Sequence, residues 1–287
     1  MLTLELFLQG LVQGSIYALI AVGLTLVYGL LRILHVAHAG LFTLGGYLGV
    51  IITNQTGSFA LALFTAAVVV GVAGMAVYRL CYQPLLARPP YVALIASIGL
   101  FIVLEELYRI VFGPYGLSYA DPPLRARVQL GGIGFTQAEL ATFFGACVLI
   151  ALLALLAGRT RTGIAWRATV TDPQMAESFG VNIVGVRYLN FFIGSALAGV
   201  AGVMVALLNN LVEPTMGSVA SYKALAIIVL GGLGDVRGTL LAALLLGVIE
   251  AFGTIYLGEI MDRDAIAFAF LIVVLMFRPQ GLFGAKA

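Results

Sequence analysis

Charge is what this sequence lacks most. Of its 287 residues only 10% are Asp, Glu, Lys or Arg, whereas 62% are hydrophobic. A soluble domain carries about 25% charged residues. A chain this apolar (mean hydropathy +1.09) cannot cover a water-facing surface. Cysteine is almost absent: Cys81 and Cys147 sit in or beside apolar runs, with no metal spacing and no disulfide framework. A net charge of +2 is too weak to imply nucleic acid. No Gly-x4-Gly-Lys-[Ser/Thr] phosphate loop occurs, nor Gly-x-Ser-x-Gly, nor His-Glu-x-x-His. An enzyme is therefore not expected, and ATP used in any cycle must bind another chain.

What is present is uninterrupted apolar sequence. No charge occurs from Leu6 to Leu31 or from Tyr188 to Leu208. A helix needs about 20 such residues to cross about 30 Å of hydrocarbon. A membrane β-barrel would alternate apolar and polar residues instead. The expectation is an all-α integral membrane protein, a single polytopic domain of about eight to nine membrane elements, some broken or re-entrant. Nine elements are read at about Leu8–Leu31, Val36–Thr53, Phe59–Leu80, Tyr91–Phe112, Glu139–Ala157, Val186–Leu208, Tyr222–Leu233, Gly238–Tyr256 and Asp264–Phe277. The seventh either spans or re-enters. The N-terminal run is too long for a signal-peptide core and reads as a retained helix. Gly113–Thr136, with Pro114, Pro122 and Pro123, reads as a loop or short hairpin.

With nine spans the termini fall on opposite sides. Arg109, Arg125, Arg127, Lys223 and Arg263 then share a side, and the other ten of the 15 basic residues, from Arg32 to Lys286, lie opposite. Cytoplasmic loops are enriched in Lys and Arg. That favours an outward N-terminus and a cytoplasmic C-terminus.

Glycine is plentiful, 35 residues, and patterned. Gly194, Ala198 and Gly202 stand four apart on one helix face, with Ser195 and Gly199 beside them. Such spacing lets backbones approach closely, so helix packing is expected there, within one bundle or between subunits. Gly45-Gly46 and Gly231-Gly232-Leu233-Gly234 read as helix breaks, tolerated at membrane depth only against protein or a water-filled cavity. Ionisable and polar groups within apolar runs are candidates for the pathway by default: Tyr17, Thr25, Asn190, Lys223 and Glu250. Glu250 either lines a pathway or pairs with Lys223 or Arg109. Lys223 either snorkels to an interface or meets the carboxylate of a ligand. Tyr17, Thr25 and Asn190 either line a cavity or bond a neighbouring backbone. Glu105 and Arg109 read as an i, i+4 pair. His35 and His38 read as interfacial hydrogen-bonders.

The segment 159–182 is the charged exception. Asp172 is suited to cap a short helix opened by Pro173, with Gly180 ending it. Within it, Gln174, Met175, Ala176, three further residues and Gly180 resemble the Glu-Ala-Ala-x3-Gly coupling loop of ABC-importer permeases, matching at Ala176 and Gly180. The wider context (Arg167-Ala168, Asp172-Pro173, Phe179-Gly180-Val181-Asn182, then Ala196 to Gly202) resembles the branched-chain amino acid (Liv-type) permease family. Gly14 to Gly29, His38 to Tyr47 and Lys223 to Gly238 are similar to other blocks of that family, so the likeness runs from Leu8 to Phe283. Where the family often has Asn-Phe-Ala-His-Gly, this chain has His35-Val-Ala-His38-Ala39.

The resemblance implies a subunit in the bacterial inner membrane that works by alternating access. It implies a second, homologous permease as a heterodimer partner, two ATP-binding subunits that hold ATP and Mg, and a periplasmic substrate-binding protein, all in contact with membrane lipid and none with nucleic acid. It implies that Arg167, Asp172, Gln174, Ala176, Glu177 and Gly180 engage the ATPase, and that a branched-chain or related hydrophobic amino acid is carried inward. Related systems take urea, amides or aromatic acids. An ion-coupled secondary transporter built on Glu250 and the Gly231–Gly234 break is the rival reading, and a passive channel or scaffold a second.

Overall fold

The computed structural model describes residues 2–130 and 133–282. Lys286, one of the ten basic residues above, lies outside them. The helices are α1 (Leu2–Leu31), α2 (His38–Thr56), α3 (Phe59–Val77), α4 (Pro90–Phe112), α5 (Gln137–Arg159), α6 (Arg161–Thr171), α7 (Pro173–Ser178), α8 (Ile183–Asn209), α9 (Met216–Gly231), α10 (Val236–Tyr256) and α11 (Arg263–Phe277). A π-turn at Tyr78–Tyr82 and a 3-10 turn at Gln83–Leu85 prolong α3. An antiparallel hairpin, β1 (Arg127–Leu130) and β2 (Ile133–Thr136), precedes α5. Among the described residues, six helices are long and apolar enough to cross a bilayer.

The bundle is built around α1 and α8. The apolar stretch of α1 is 83% buried, against 17% for α4, so α1 is core and α4 is rim. The rim helices expose apolar side chains such as Phe64, Ile95, Ile110 and Phe144, as expected where lipid, not water, is the solvent.

The chain folds back into its own interior twice. Arg32, just past α1, and Asn210, just past α8, adopt left-handed φ of 54° and 53°. Each opens a connector of six residues, 32–37 and 210–215, that runs inward. The first delivers His38, the start of α2, to the middle of α1, where its Nε2 lies 3.2 Å from the Ile20 carbonyl. The second delivers Gly217, near the start of α9, against Ala39 and Thr43 of α2. The two helix pairs run in opposite directions. Buried irregular backbone must find partners inside the protein. Ser97 Oγ accepts from Ala37 N–H at 3.0 Å, and Val212 pairs with Leu117 through two backbone bonds of 2.9 Å. Asn54 clamps the same loop, donating to Ser118 O and accepting from Ala120 N, each at 3.0 Å.

Glycine sets the interhelical distances. A Cβ on Gly45 would fall 2.2 Å from the Gly199 carbonyl oxygen, and one on Gly202 2.0 Å from Phe42 O. A Cβ on Gly194 would fall 2.8 Å from the Gly23 carbonyl oxygen, and Ala198 is fully buried. The stripe on α8 therefore packs within this chain, against α1, α2 and α3.

Several expectations change. Gly45-Gly46 is not a break: α2 runs through it, because those glycines remove side chains where α8 presses in. Gly231–Gly234 is a break, the turn between α9 and α10, with φ of 104° at Gly232 and 89° at Gly234. The seventh element begins earlier than expected, at Met216, and at 16 residues is shorter than the six long apolar helices. The charged segment is mostly helical: α6 went unseen because its weakly apolar sequence carries no membrane signal.

Candidate functional site

Charged side chains converge where α1, α9, α10 and α11 meet, on the half of the bundle that holds the α1 N-terminus. Glu250 on α10 is fully buried and Lys223 on α9 nearly so. Lys223 Nζ lies 3.0 Å from Glu250 Oε1 and 2.9 Å from Asp264 Oδ1, and donates to Tyr17 Oη at 2.9 Å. Tyr17 in turn donates to Glu250 Oε2 at 2.6 Å, and Arg263 Nε reaches the same oxygen at 2.7 Å. Tyr222 donates a short bond to Asp264. Two cations offset two carboxylates, so the cluster is neutral. That is how charge persists where isolated ions are costly. The Lys223–Glu250 contact is an ion pair without hydrogen-bond alignment, since Oε1 takes no properly directed donor.

The structure shows what each of these side chains touches. Glu250 pairs with Lys223 and with Arg263. It does not meet Arg109, which stays on its own helix with Glu106 at 2.6 Å and Glu105 at 3.4 Å. Lys223 does not snorkel: it sits mid-helix, and three acceptors surround its three N–H donors. Thr25 and Asn190 lie apart from the cluster as ties between helices. Thr25 Oγ1 is 2.9 Å from Thr239 Oγ1 of α10, and Asn190 donates to Leu26 O at 2.6 Å. Sequence reading missed Arg263, Asp264 and Tyr222. The run Asp262-Arg263-Asp264 opens a helix, and counting it toward topology hid its role.

Beside the cluster a cavity of about 720 Å³ opens to the same face. Arg263 forms part of its wall, with Gln9 and Gln13 of α1, Arg125 and Arg127 of the hairpin region, and Glu139 of α5. Leu6, Val12, Leu207, Ala251 and Ile255 supply apolar wall. A cavity of this size and mixed lining is typical of small-ligand sites.

On the opposite face, α5 to α8 form a relay of capped helices. Thr160 accepts from Gly163 N at 3.0 Å, Asp172 from Met175 N at 3.0 Å and Asn182 from Gly185 N at 2.9 Å. Arg167 donates to the Ala157 carbonyl, joining α6 to the end of α5. Ala176 is buried beneath α7, while Gln174, Met175 and Glu177 are exposed. Gly180, at φ 84°, ends the helix, and Val181 N–H bonds back to Ala176 O at 3.0 Å. The result is a short, rigid projection tipped by Phe179, whose side chain is 82% exposed. Among the described residues no cluster of three or more His, Cys, Asp or Glu suits a metal.

Long apolar helices around a neutral charge cluster, with a cavity opening to one face, define a polytopic membrane protein. Residues 6–277 match the model of the family described as the branched-chain amino acid transport system / permease component. The chain belongs to that permease family. It is 33% identical to the high-affinity branched-chain amino acid transport system permease protein BraD of Pseudomonas aeruginosa and to LivH of Escherichia coli K12, in each case over 98% of this chain and 95% of the relative. The permease protein LivM of the same E. coli system is 27% identical over 93% of this chain and 67% of its own length. Among solved structures, PsaBC from Streptococcus pneumoniae in complex with Fab shares the fold, with a TM-score of 0.54 at 11% identity over 95% of this chain and 91% of that one.

Proposed function

We propose that this chain is one of two permease subunits of an ATP-driven importer for branched-chain or related apolar amino acids. The observation that carries the reading is the pairing of two features on opposite faces: a cavity of mixed lining whose wall includes Arg263 of the neutral ion cluster, and a rigid short helix that exposes Phe179 and Met175. An open cavity with charged groups in its wall suits a ligand that arrives hydrated. An exposed aromatic tip on a capped helix suits a groove in a partner protein. The excess of Lys and Arg on the α7 face makes that face cytoplasmic, with the N-terminus outside. Tyr17, Lys223 and Glu250 then lie at the outer end of the route. Two different permease proteins of one E. coli system resemble this chain, which favours a heterodimer with a homologous subunit. ATP and Mg belong to two separate subunits, and a periplasmic binding protein delivers the substrate.

Co-purification tests the reading. The intact permease pair should retain an ATPase subunit through detergent extraction. Phe179→Asp should remove the ATPase without lowering permease yield, because that side chain touches little of its own chain. Loss of yield together with the ATPase, or ATPase retained in full, would count against α7 as the docking element.

A further inference from the structure

The cavity's charged groups have unequal spare capacity, and that inequality selects a ligand. Lys223 has little to offer one: it is buried, donates to Tyr17, and lies 3.0 Å from Glu250 and 2.9 Å from Asp264. Arg263 gives only Nε to Glu250. Its other donors have no partner among the described residues, and its side chain is 43% exposed in the cavity wall. A guanidinium anchored through one nitrogen and free at the rest presents a fork that fits a carboxylate. Glu139 shows the complementary pattern. Its Oε2 accepts from Thr136 N at 2.7 Å and Thr136 Oγ1 at 3.0 Å, closing the capping box of α5. Its Oε1 has no partner among the described residues and remains available to a cation. Arg125 and Arg127 are exposed at the same wall. The lining therefore holds three guanidinium groups and one carboxylate, and its long-range pull is on anions. Apolar wall lies between, from Leu6, Val12, Leu207 and Ile255.

We infer that this cavity is a zwitterion site: Arg263 takes the α-carboxylate of an amino acid, Glu139 takes its α-ammonium, and the leucine-lined wall takes an apolar side chain. The inference rests on the import reading above for its setting. The Glu250 bond holds Arg263 from behind, so the buried cluster orients the ligand-facing guanidinium. Arg125 and Arg127 act at longer range, raising the local concentration of the carboxylate.

The test uses the full chain with its partner permease in lipid nanodiscs, without binding protein, and saturation-transfer NMR, which detects weak ligands. The probes are L-leucine, leucinamide (no carboxylate) and 4-methylpentanoate (no ammonium). Wild type should bind L-leucine about tenfold or more tightly than either analogue, the scale expected of one charge-assisted contact. Arg263→Lys keeps a cation for Glu250 but removes the fork, and should bring L-leucine down to the leucinamide level. Glu139→Gln preserves the capping box and should bring it down to the 4-methylpentanoate level. Equal binding of all three probes to wild type, or leucine affinity unchanged in both variants, overturns the site. ATP-dependent leucine uptake by the complete wild-type complex is measured in parallel. Uptake that is ATP-driven with no effect of the variants on binding removes the zwitterion site and leaves the importer. Uptake that ignores ATP removes the importer, while the binding data still decide the site.

Discussion

The two re-entrant halves share a backbone device and differ in what holds them. Both leave a long helix through a left-handed residue, Arg32 or Asn210, and both re-enter through six residues. The α2 half is then held by neutral contacts. Gly45 touches Gly199, Gly202 touches Phe42, and His35 Nδ1 lies 2.6 Å from Tyr82 Oη. The α9 half is held by charge, with Lys223 between Glu250 and Asp264. Backbone contact of the first kind exists at one separation only. An ion cluster can exchange partners, including a ligand's charges. One fold thus combines a half held by backbone contact with one held by paired charges.

Substitutions can break this contrast, and the largest effect is expected in the α2 half. Gly45→Leu would force a side chain into the Gly199 backbone, where even one carbon stands at 2.2 Å. Overpacking an ordinary core site costs about 1–3 kcal/mol; here the obstacle is backbone and no flexible side chain can yield, so the bundle itself must separate. The expected result is loss of monodisperse protein in size-exclusion chromatography.

The charged half should fail differently. Lys223→Met leaves buried Glu250 with Arg263 alone, and removing one partner of a buried pair costs about 3–5 kcal/mol. Adding Glu250→Gln should return a large part of that loss, because the uncompensated charge goes with it. Thermal unfolding of both variants in detergent measures the difference. A double variant less stable than Lys223→Met would show that the cluster is not held by charge balance.

The smallest effect belongs to the ties between helices. Thr25→Val removes one hydroxyl pair with Thr239, and interhelical hydrogen bonds in membranes average about 0.6 kcal/mol. The melting temperature should drop slightly and uptake should remain near wild type. A loss of uptake at unchanged stability would instead place Thr25 on the solute route.

Much of the architecture was legible in the residues, for a simple reason: lipid demands long apolar helices, and Leu6–Leu31 or Tyr188–Leu208 can be nothing else. The cap at Asp172 and the stop at Gly180 were legible because they are local chemistry. The re-entrant connectors were not, because Arg32 carries no turn signal, and Asn210, though suited to a left-handed helix end, does not say which way the chain then runs. Gly45-Gly46 misled because a glycine pair serves a break and a close helix contact equally well. For the site, Glu250 and Lys223 stood out as charges in apolar sequence. Arg263 and Asp264 did not, since they lie at a helix start where charge is unremarkable, and only the fold brings them to Glu250.

The central claim, that this chain is half of an ATP-driven import route, is tested most directly by solute uptake. The complex of both permeases and both ATPases would be reconstituted in proteoliposomes, with binding protein and labelled leucine on the side of the α1 N-terminus and ATP on the side of α7. The account predicts accumulation that requires ATP on the α7 side and persists when a protonophore collapses the proton gradient. Accumulation without ATPase subunits that the protonophore abolishes would contradict it.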